Sequence, residues 1–372
     1  MIGCRGCGDP DLRRVLDLGE VAAADHFPAA SAPVQSSETS HYLAMEICRT
    51  CGLAQLADDD TVASEPRGVE PQALKDQAEA AIERVAAAGW LRGDTVVEFG
   101  SPHGGTWMPL LTERGFSTVS LRADVVLDCF GIMHEPDQRR AFAERARVTK
   151  TNGVLLLQFH SIAAILKQGQ WNALRHGHFA YYSLTSLTHM LGAVGMRAVA
   201  AWEFDLYGGT VLIAAVHGRG EPRESVRRIL AAESRMGITS PHVMHRLQRR
   251  ADNHARSLRS WLEEEAAAGR KVFAYGAASR AVAVFSRAGI DARLLPAVAD
   301  ASPSKHGRRM PGTDIPIVSP SELINADPDR VLLMLPDLLP EVTSRFPELA
   351  GRWKVDGDYS TPIADDERRK SA

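Results

Sequence analysis

Cys4-x-x-Cys7 and Cys48-x-x-Cys51 offer four thiol donors in two closely spaced pairs. Tetrahedral zinc takes four such donors, and a full Cys4 shell leaves no position open for water, so the expected ion is structural rather than catalytic. The fifth cysteine, Cys129, stands in the apolar run "ADVVLDCFG" and reads as a buried core thiol. A second constellation lies at 175–184, "RHGHFAYYSL", where His176 and His178 precede Tyr181 and Tyr182. Imidazole titrates near neutrality and can serve as general acid or base. The same four side chains could equally form a polar connection between packed elements, and the residues alone leave both readings open.

Two glycine turns supply the other candidate chemistry. "VVEFGSPHGG" ends a buried strand at Glu98, Gly100 and Gly104, where an open α/β sheet binds ligands beyond its strand ends. "YGAASR" repeats the arrangement at Tyr275, Gly276 and Arg280, and Arg280 at a helix start could meet a phosphate or carboxylate. The loop "DASPSKHGRRMPGT" adds Lys305 and Arg308, which could clamp a diphosphate or simply remain solvated. Either turn could also carry glycine for geometry alone.

These residues need a scaffold, and the hydropathy pattern provides one. The chain has 372 residues, 45% of them hydrophobic and 24% charged, enough for two or three domains. Strands alternate with helices from "DTVVEFG" to "TVLIAAVH", which predicts an α/β domain with a mainly parallel sheet over 70–217. Residues 1–58 form the zinc module, and "VASEPRGVEP" reads as a linker. Residues 218–267 are helical and charged, with an apolar stripe through Val243, Leu247, Ala251, Leu258 and Leu262. A Rossmann-like lobe is expected over 268–360, and the tail 361–372 is expected to be disordered. The net charge of -3 argues against nucleic acid, and no apolar stretch is long enough to span a membrane. With no signal peptide at the start, a cytoplasmic location is expected.

Taken together, the pieces resemble the three-part sugar C-methyltransferases that act on nucleotide-linked 4-keto deoxysugars. The order matches from the zinc knuckles and "VLDLGEVAAADHF" through "VVEFGSPHGG", "GHFAYYSL" and "YGGTVLIAA" to "YGAASR", "DASPSKHGRRMPGTDIPIVSP" and "LMLP". The resemblance implies an N-terminal zinc module, a class I methyltransferase-like Rossmann domain and a C-terminal Rossmann-like domain. It implies that His178 is the base that removes the proton beside the sugar ketone, the enolate then attacking the methyl group of S-adenosylmethionine. It also implies a small-molecule substrate contacted through Tyr207, Gly208 and Gly209 and through the C-terminal lobe. The setting is tailoring chemistry in natural-product and antibiotic biosynthesis.

Three departures qualify this. The family loop reads Tyr-His-Glu-His where this chain has Arg175-His176-Gly177-His178, so a tyrosine and a carboxylate are gone. The Ser-Asn-Asp-Gly of the cofactor turn has become Ser101-Pro102-His103-Gly104. Only Arg122-Ala123-Asp124 separates "STVSL" from "VVLDCF", where the family has a ribose-holding acid, a helix, another strand and the adenine loop. Parallel neighbours need a crossover of about a dozen residues, so "STVSL" should either turn back as a hairpin or leave the parallel sheet. Ordinary binding of S-adenosylmethionine should then be lost. The expected enzyme keeps the histidine base and performs epimerisation, isomerisation or elimination without the methyl donor; His103 and His160, at strand ends, read first as polar strand termini, with a role as replacement partners the alternative. The alternatives are methyl transfer in a rebuilt pocket, or a non-catalytic scaffold.

Overall fold

The computed structural model describes residues 3–61, 70–102, 104–218, 221–357 and 359. His103, most of the expected linker and the 361–372 tail lie outside the described residues. In the zinc module, β1 (Leu12–Val21) pairs antiparallel with β2 (His41–Cys48), which pairs with β3 (Ala54–Leu56). Cys48 closes β2, and the positive φ of Gly52, +72°, turns the chain back so that Cys48 N–H meets the Leu53 carbonyl at 2.9 Å.

Pro71 precedes α1 (Gln72–Ala87), whose inward stripe is Gln77, Ala78, Ala81, Ile82 and Val85. Then follow β4 (Thr95–Phe99), α2 (Met108–Thr112), β5 (Ser117–Thr118), β6 (Ala123–Cys129), α3 (Gln138–Val148) and β7 (Thr149–His160). After α4 (Ile162–Gln168), the two-residue β8 (Ala180–Tyr181) leaves this domain and pairs with β3 of the zinc module. α5 (Leu184–Ala193), β9 (Met196–Phe204) and β10 (Thr210–His217) complete a sheet of order β5-β4-β6-β7-β10-β9. Its first four strands are parallel and its last two antiparallel, the strand pair expected to close the sheet.

The helical stretch divides into α6 (Glu224–Met236), α7 (Pro241–Met244) and α8 (Arg246–Ala267). Leu247, Ala251, Leu258 and Leu262 are buried as their spacing predicts, while the arginines between them face solvent. The last lobe consists of β11 (Val272–Tyr275), α9 (Ser279–Ala288), β12 (Val298–Ala299), β13 (Ile317–Val318), α10 (Pro320–Asn325), β14 (Arg330–Leu333), α11 (Leu339–Arg345) and β15 (Trp353–Val355). Its sheet is parallel throughout, ordered β13-β12-β11-β14-β15. One hydrophobic cluster includes Phe27 and Leu43 of the zinc module, Leu258 of α8 and Phe285 of α9, so the module and the lobe share a core. Among the described residues no helix is long and apolar enough to cross a membrane.

The expectation for "STVSL" is corrected here. No hairpin forms: Ser117 and Thr118 stay in the sheet, parallel to Thr95 and Val96, while 119–121 leave it as expected. β5 and β6 flank β4, and the four residues 119–122 join them without a helix, β5 keeping only two residues against the edge of β4.

Candidate functional site

The four cysteine sulfurs lie within 4.8 Å of one another, with Cys4–Cys51 at 3.5 Å and Cys7–Cys48 at 3.6 Å. Tetrahedral bonds of about 2.3 Å place sulfurs about 3.8 Å apart, so Cys4, Cys7, Cys48 and Cys51 fit one zinc ion. The hydrogen bond from the Cys51 thiol draws Cys4 down to about 5 and pushes Cys51 up in turn, as expected of thiols crowded at one site.

A cleft of about 440 Å³ opens where the strand ends of the central domain face the C-terminal lobe. One wall is the first glycine turn, with Ser101, Gly104 and Trp107; the opposite wall is the second, with Gly276, Ser279 and Arg280. The loop 175–183 fills the space between them. Its N-terminal part is tied to the zinc module by Gly177 N–H to Asp59 at 2.6 Å. Its far end enters α5, where Ser183 caps the first turn and Glu233 of α6 accepts from Leu184 and Thr185 N–H at 2.8 Å each. Burial raises the Glu233 carboxyl, and three hydrogen bonds oppose that.

His178 lines this cleft. Its Nε2 accepts from Arg175 Nε at 2.8 Å, and because a guanidinium only donates, the ring lone pair is on Nε2. Arg175 also reaches Ser279 Oγ of α9, so His178 is coupled to the second turn. The His134 ring stands 4.5 Å away at 90°, and His134 Nδ1 donates to the Gly177 carbonyl at 2.9 Å. Tyr181 lines the cleft too, its hydroxyl accepting from Arg175 N–H at 3.0 Å, and burial holds its phenol well above the usual value.

Other expected residues lie elsewhere. His176 points toward the zinc module, its Nε2 3.3 Å from the Tyr42 carbonyl and its ring 6.0 Å from that of His41. Between the two histidines, Gly177 at φ +76° turns the backbone and sends their rings opposite ways. Tyr182 is packed with Phe142 and Phe159 and hydrogen-bonded to Gln138, outside the cleft. Glu98 holds its own turn by accepting from Trp107 N–H at 2.8 Å, and neither Glu98 nor Gly100 lines the cleft. Gly208 and Gly209 also stay out of it: added Cβ atoms would meet Gln168 at 2.0 Å and Ala164 at 2.5 Å, so these glycines let the chain lie close on α4. Arg308 donates to the Phe27 carbonyl at 2.7 Å and braces the lobe against the zinc module. Tyr207, Tyr275, Gly276, Arg280 and Lys305 do line the cleft. Cys129, expected in the core, is only partly buried and borders the cleft, where burial raises its thiol.

Sequence reasoning missed His134 and Asp25, both of which line the cleft. Asp25 is buried, and its Oδ2 lies 3.8 Å from where a Cβ on Gly177 would sit, so the zinc module sets a carboxylate beside the loop position that lost one. The "ADHF" segment carrying Asp25 belongs to the stretch that resembles the family, but nothing local marks it as part of this site. At the edge where β5 ends, Val119, Ser120, Leu121 and Arg122 supply no carboxylate, and Leu121 is 71% exposed.

Two family models match: one described as "C-methyltransferase C-terminal domain" over 205–356, the other as "Putative zinc binding domain" over 4–63. The C-methyltransferase NovU of Streptomyces niveus is 25% identical over 402 aligned positions, covering 95% of this chain and 94% of that protein. Solved structures with similarity include magnesium protoporphyrin IX methyltransferase from Synechocystis with bound SAM (12% identity, 39% of this chain and 79% of that one, TM-score 0.29). Another is the 1,6-didemethyltoxoflavin-N1-methyltransferase of Burkholderia thailandensis (12% identity, 45% and 96%, TM-score 0.29).

Proposed function

From the match to a C-methyltransferase C-terminal domain and a zinc-binding domain, we propose that the chain enolises a nucleotide-linked keto sugar at His178 and returns the proton instead of adding a methyl group. The observation that carries this is the His178 lone pair, on Nε2 and in the cleft, held at 2.8 Å by Arg175. In the reaction the C–H proton beside the ketone passes to His178 Nε2, and the bonding electrons move to the carbonyl oxygen. Arg175, displaced from the imidazole, is placed to meet that developing anion. Return of the proton from His178 restores the keto sugar with its hydrogen exchanged, and an epimer forms where water protonates the opposite face of the enolate and the resulting hydroxide is neutralised by the His178 proton released to solvent. Asp25, His134 and Tyr181 border the base, while Arg280 and Lys305 are placed to meet the diphosphate.

S-adenosylmethionine does not fit this cleft in its ordinary pose. Among the described residues, the β5 edge offers no acid for the ribose and no strand or loop to wall the adenine. No step is therefore routed through it. Zinc fits its four cysteines and serves to hold the module that fixes Gly177.

The test is incubation with thymidine diphosphate-4-keto-6-deoxyglucose in deuterium oxide, with and without S-adenosylmethionine, followed by NMR. Deuterium beside the ketone without the donor is the expected outcome. A second reading, methyl transfer, is favoured by Gly104 and Gly105 at the cleft, and a donor-dependent methylated product would put it first. Neither product, with sugar nucleotide still bound, would mean a scaffold.

A further inference from the structure

His160, the last residue of β7, lies in the cleft wall at the strand end, and its Nε2 is buried without a hydrogen-bond partner. A buried polar nitrogen left unmatched is costly and rare, and in a side chain that borders a cleft a small turn of the ring would offer it to a ligand hydroxyl. Burial first, then the cations of Arg280 and Arg175, hold the imidazole down to about 3. It is thus neutral throughout the physiological range, offering a lone pair or one N–H but no charge.

The ring beside it is Tyr207, 6.4 Å between centroids, and on Tyr207 also sits Arg280, its Cζ 5.7 Å from the ring centre. Tyr207 adopts φ +55°, a left-handed conformation unfavourable for an aromatic residue, and Phe130 packs on it edge-on at 5.9 Å. Arg280 has no hydrogen bond or ion pair to any described residue. Asp337 and Asp356 act on it only at longer range, and burial raises the Asp337 carboxyl. The group is therefore an aromatic platform flanked by a guanidinium with no ion pair among the described residues and by a neutral imidazole that neighbours Gln170 and the Tyr207 backbone and keeps Nε2 unmatched. An aromatic face suits the apolar face of a sugar ring, a guanidinium suits phosphate, and a neutral imidazole suits a hydroxyl.

We propose that His160, Tyr207 and Arg280 form a sugar-phosphate subsite, in which Arg280 binds a phosphate oxygen and His160 hydrogen-bonds a hydroxyl of the adjoining sugar. The inference deepens the enolisation reading and rests on its substrate class. It assigns His160 to recognition and not to proton transfer, unlike the partner role its sequence position suggests.

Calorimetric titration of the full chain, zinc-loaded, tests it with two probes: thymidine diphosphate and thymidine diphosphate-glucose. Arg280→Gln is expected to weaken both, by about 10- to 100-fold for a lost charged hydrogen bond. His160→Phe, which keeps the ring's shape, is expected to weaken only the sugar-bearing probe, by up to about 10-fold. Unchanged affinities in His160→Phe, or equal losses on both probes, would overturn the assignment, as would an indifferent Arg280→Gln. Thermal melts of both variants guard against misfolding. If the wild type binds neither nucleotide, the nucleotide-sugar reading fails, and glucose 1-phosphate becomes the probe. Binding weakened by both substitutions would sustain the subsite, and no binding would end it.

Discussion

The cleft is bordered by two strand–glycine–helix turns that look alike in sequence and differ in what surrounds them. After β4, Gly104 has φ +92°, yet the following helix has five residues and the outer neighbour strand has two. Its acid, Glu98, is spent on holding the turn itself. After β11, Gly276 has φ +99°, the helix has ten residues, and β12 and β14 flank the strand on both sides. Asp300 at the tip of β12 accepts from Ala277 and Ser302 N–H at 2.8 Å each, leaving Ser279 and Arg280 to face the cleft. Glycines let a ligand approach a backbone, but the strands on either side decide whether anything there can hold it. By that measure the second turn is the equipped one.

His178, the proposed base, stands between them and sets the scale. His178→Asn should slow substrate proton exchange by about 10²- to 10⁴-fold, measured by deuterium uptake, with the melting temperature unchanged. Retained exchange would remove the premise that the two turns serve one reaction. Next, Arg145→Met would strand the buried Asp128 carboxylate at the end of β6, 2.8 Å from Arg145 Nε. A loss of about 3–5 kcal/mol in urea unfolding is expected. That outcome would identify the first turn's neighbourhood as built for stability.

The two glycines give the direct contrast. Alanine at either position carries left-handed strain of about 1–2 kcal/mol. At Gly276 the added Cβ also meets Leu335 at 3.4 Å, whereas at Gly104 it meets nothing within 4 Å. Gly276→Ala should therefore lower nucleotide affinity as well as stability, and Gly104→Ala stability alone. Equal losses of affinity in calorimetry would erase the distinction.

The smallest effect concerns what the shortened edge keeps. Burial tends to raise the Asp124 carboxyl, but Lys150 at 2.8 Å and the Thr95 hydroxyl outweigh it and bring the carboxyl to about 2. With the folded value below the unfolded one near 4, this stabilisation is present above about pH 4 and is lost as pH falls toward 2. Asp124→Asn should cost about 1 kcal/mol at pH 7 after allowance for solvent screening, and nothing at pH 2. A pH series of urea melts checks the sign.

What the sequence made legible follows from how local each signal is. Cys-x-x-Cys knuckles, strand-length apolar runs and glycine turns are set by neighbours in the chain, and they stand where the pattern placed them. His178 was legible through resemblance. Its separation from His176 was not, because one backbone angle at Gly177 decides which ring enters the cleft. His134 and Asp25 reach the base from segments about 40 and 150 residues away, and no local periodicity encodes such meetings. The two residues of β5 that stay paired at the edge of β4 were not legible, because strand order in a sheet is a tertiary fact.

β8 has a consequence for recombination between relatives. The base-bearing loop supplies the fourth strand of the zinc module's sheet, with Ala54 opposite Tyr181 and Gln55 opposite Ala180. The functional boundary between module and enzyme therefore does not coincide with the boundary along the chain. A chimera that exchanges residues 3–61 alone would mate a foreign β3 to the native loop, shifting the reference against which His178 is aimed. Residues 3–61 and 174–183 form one heritable part in two pieces, and they should travel together.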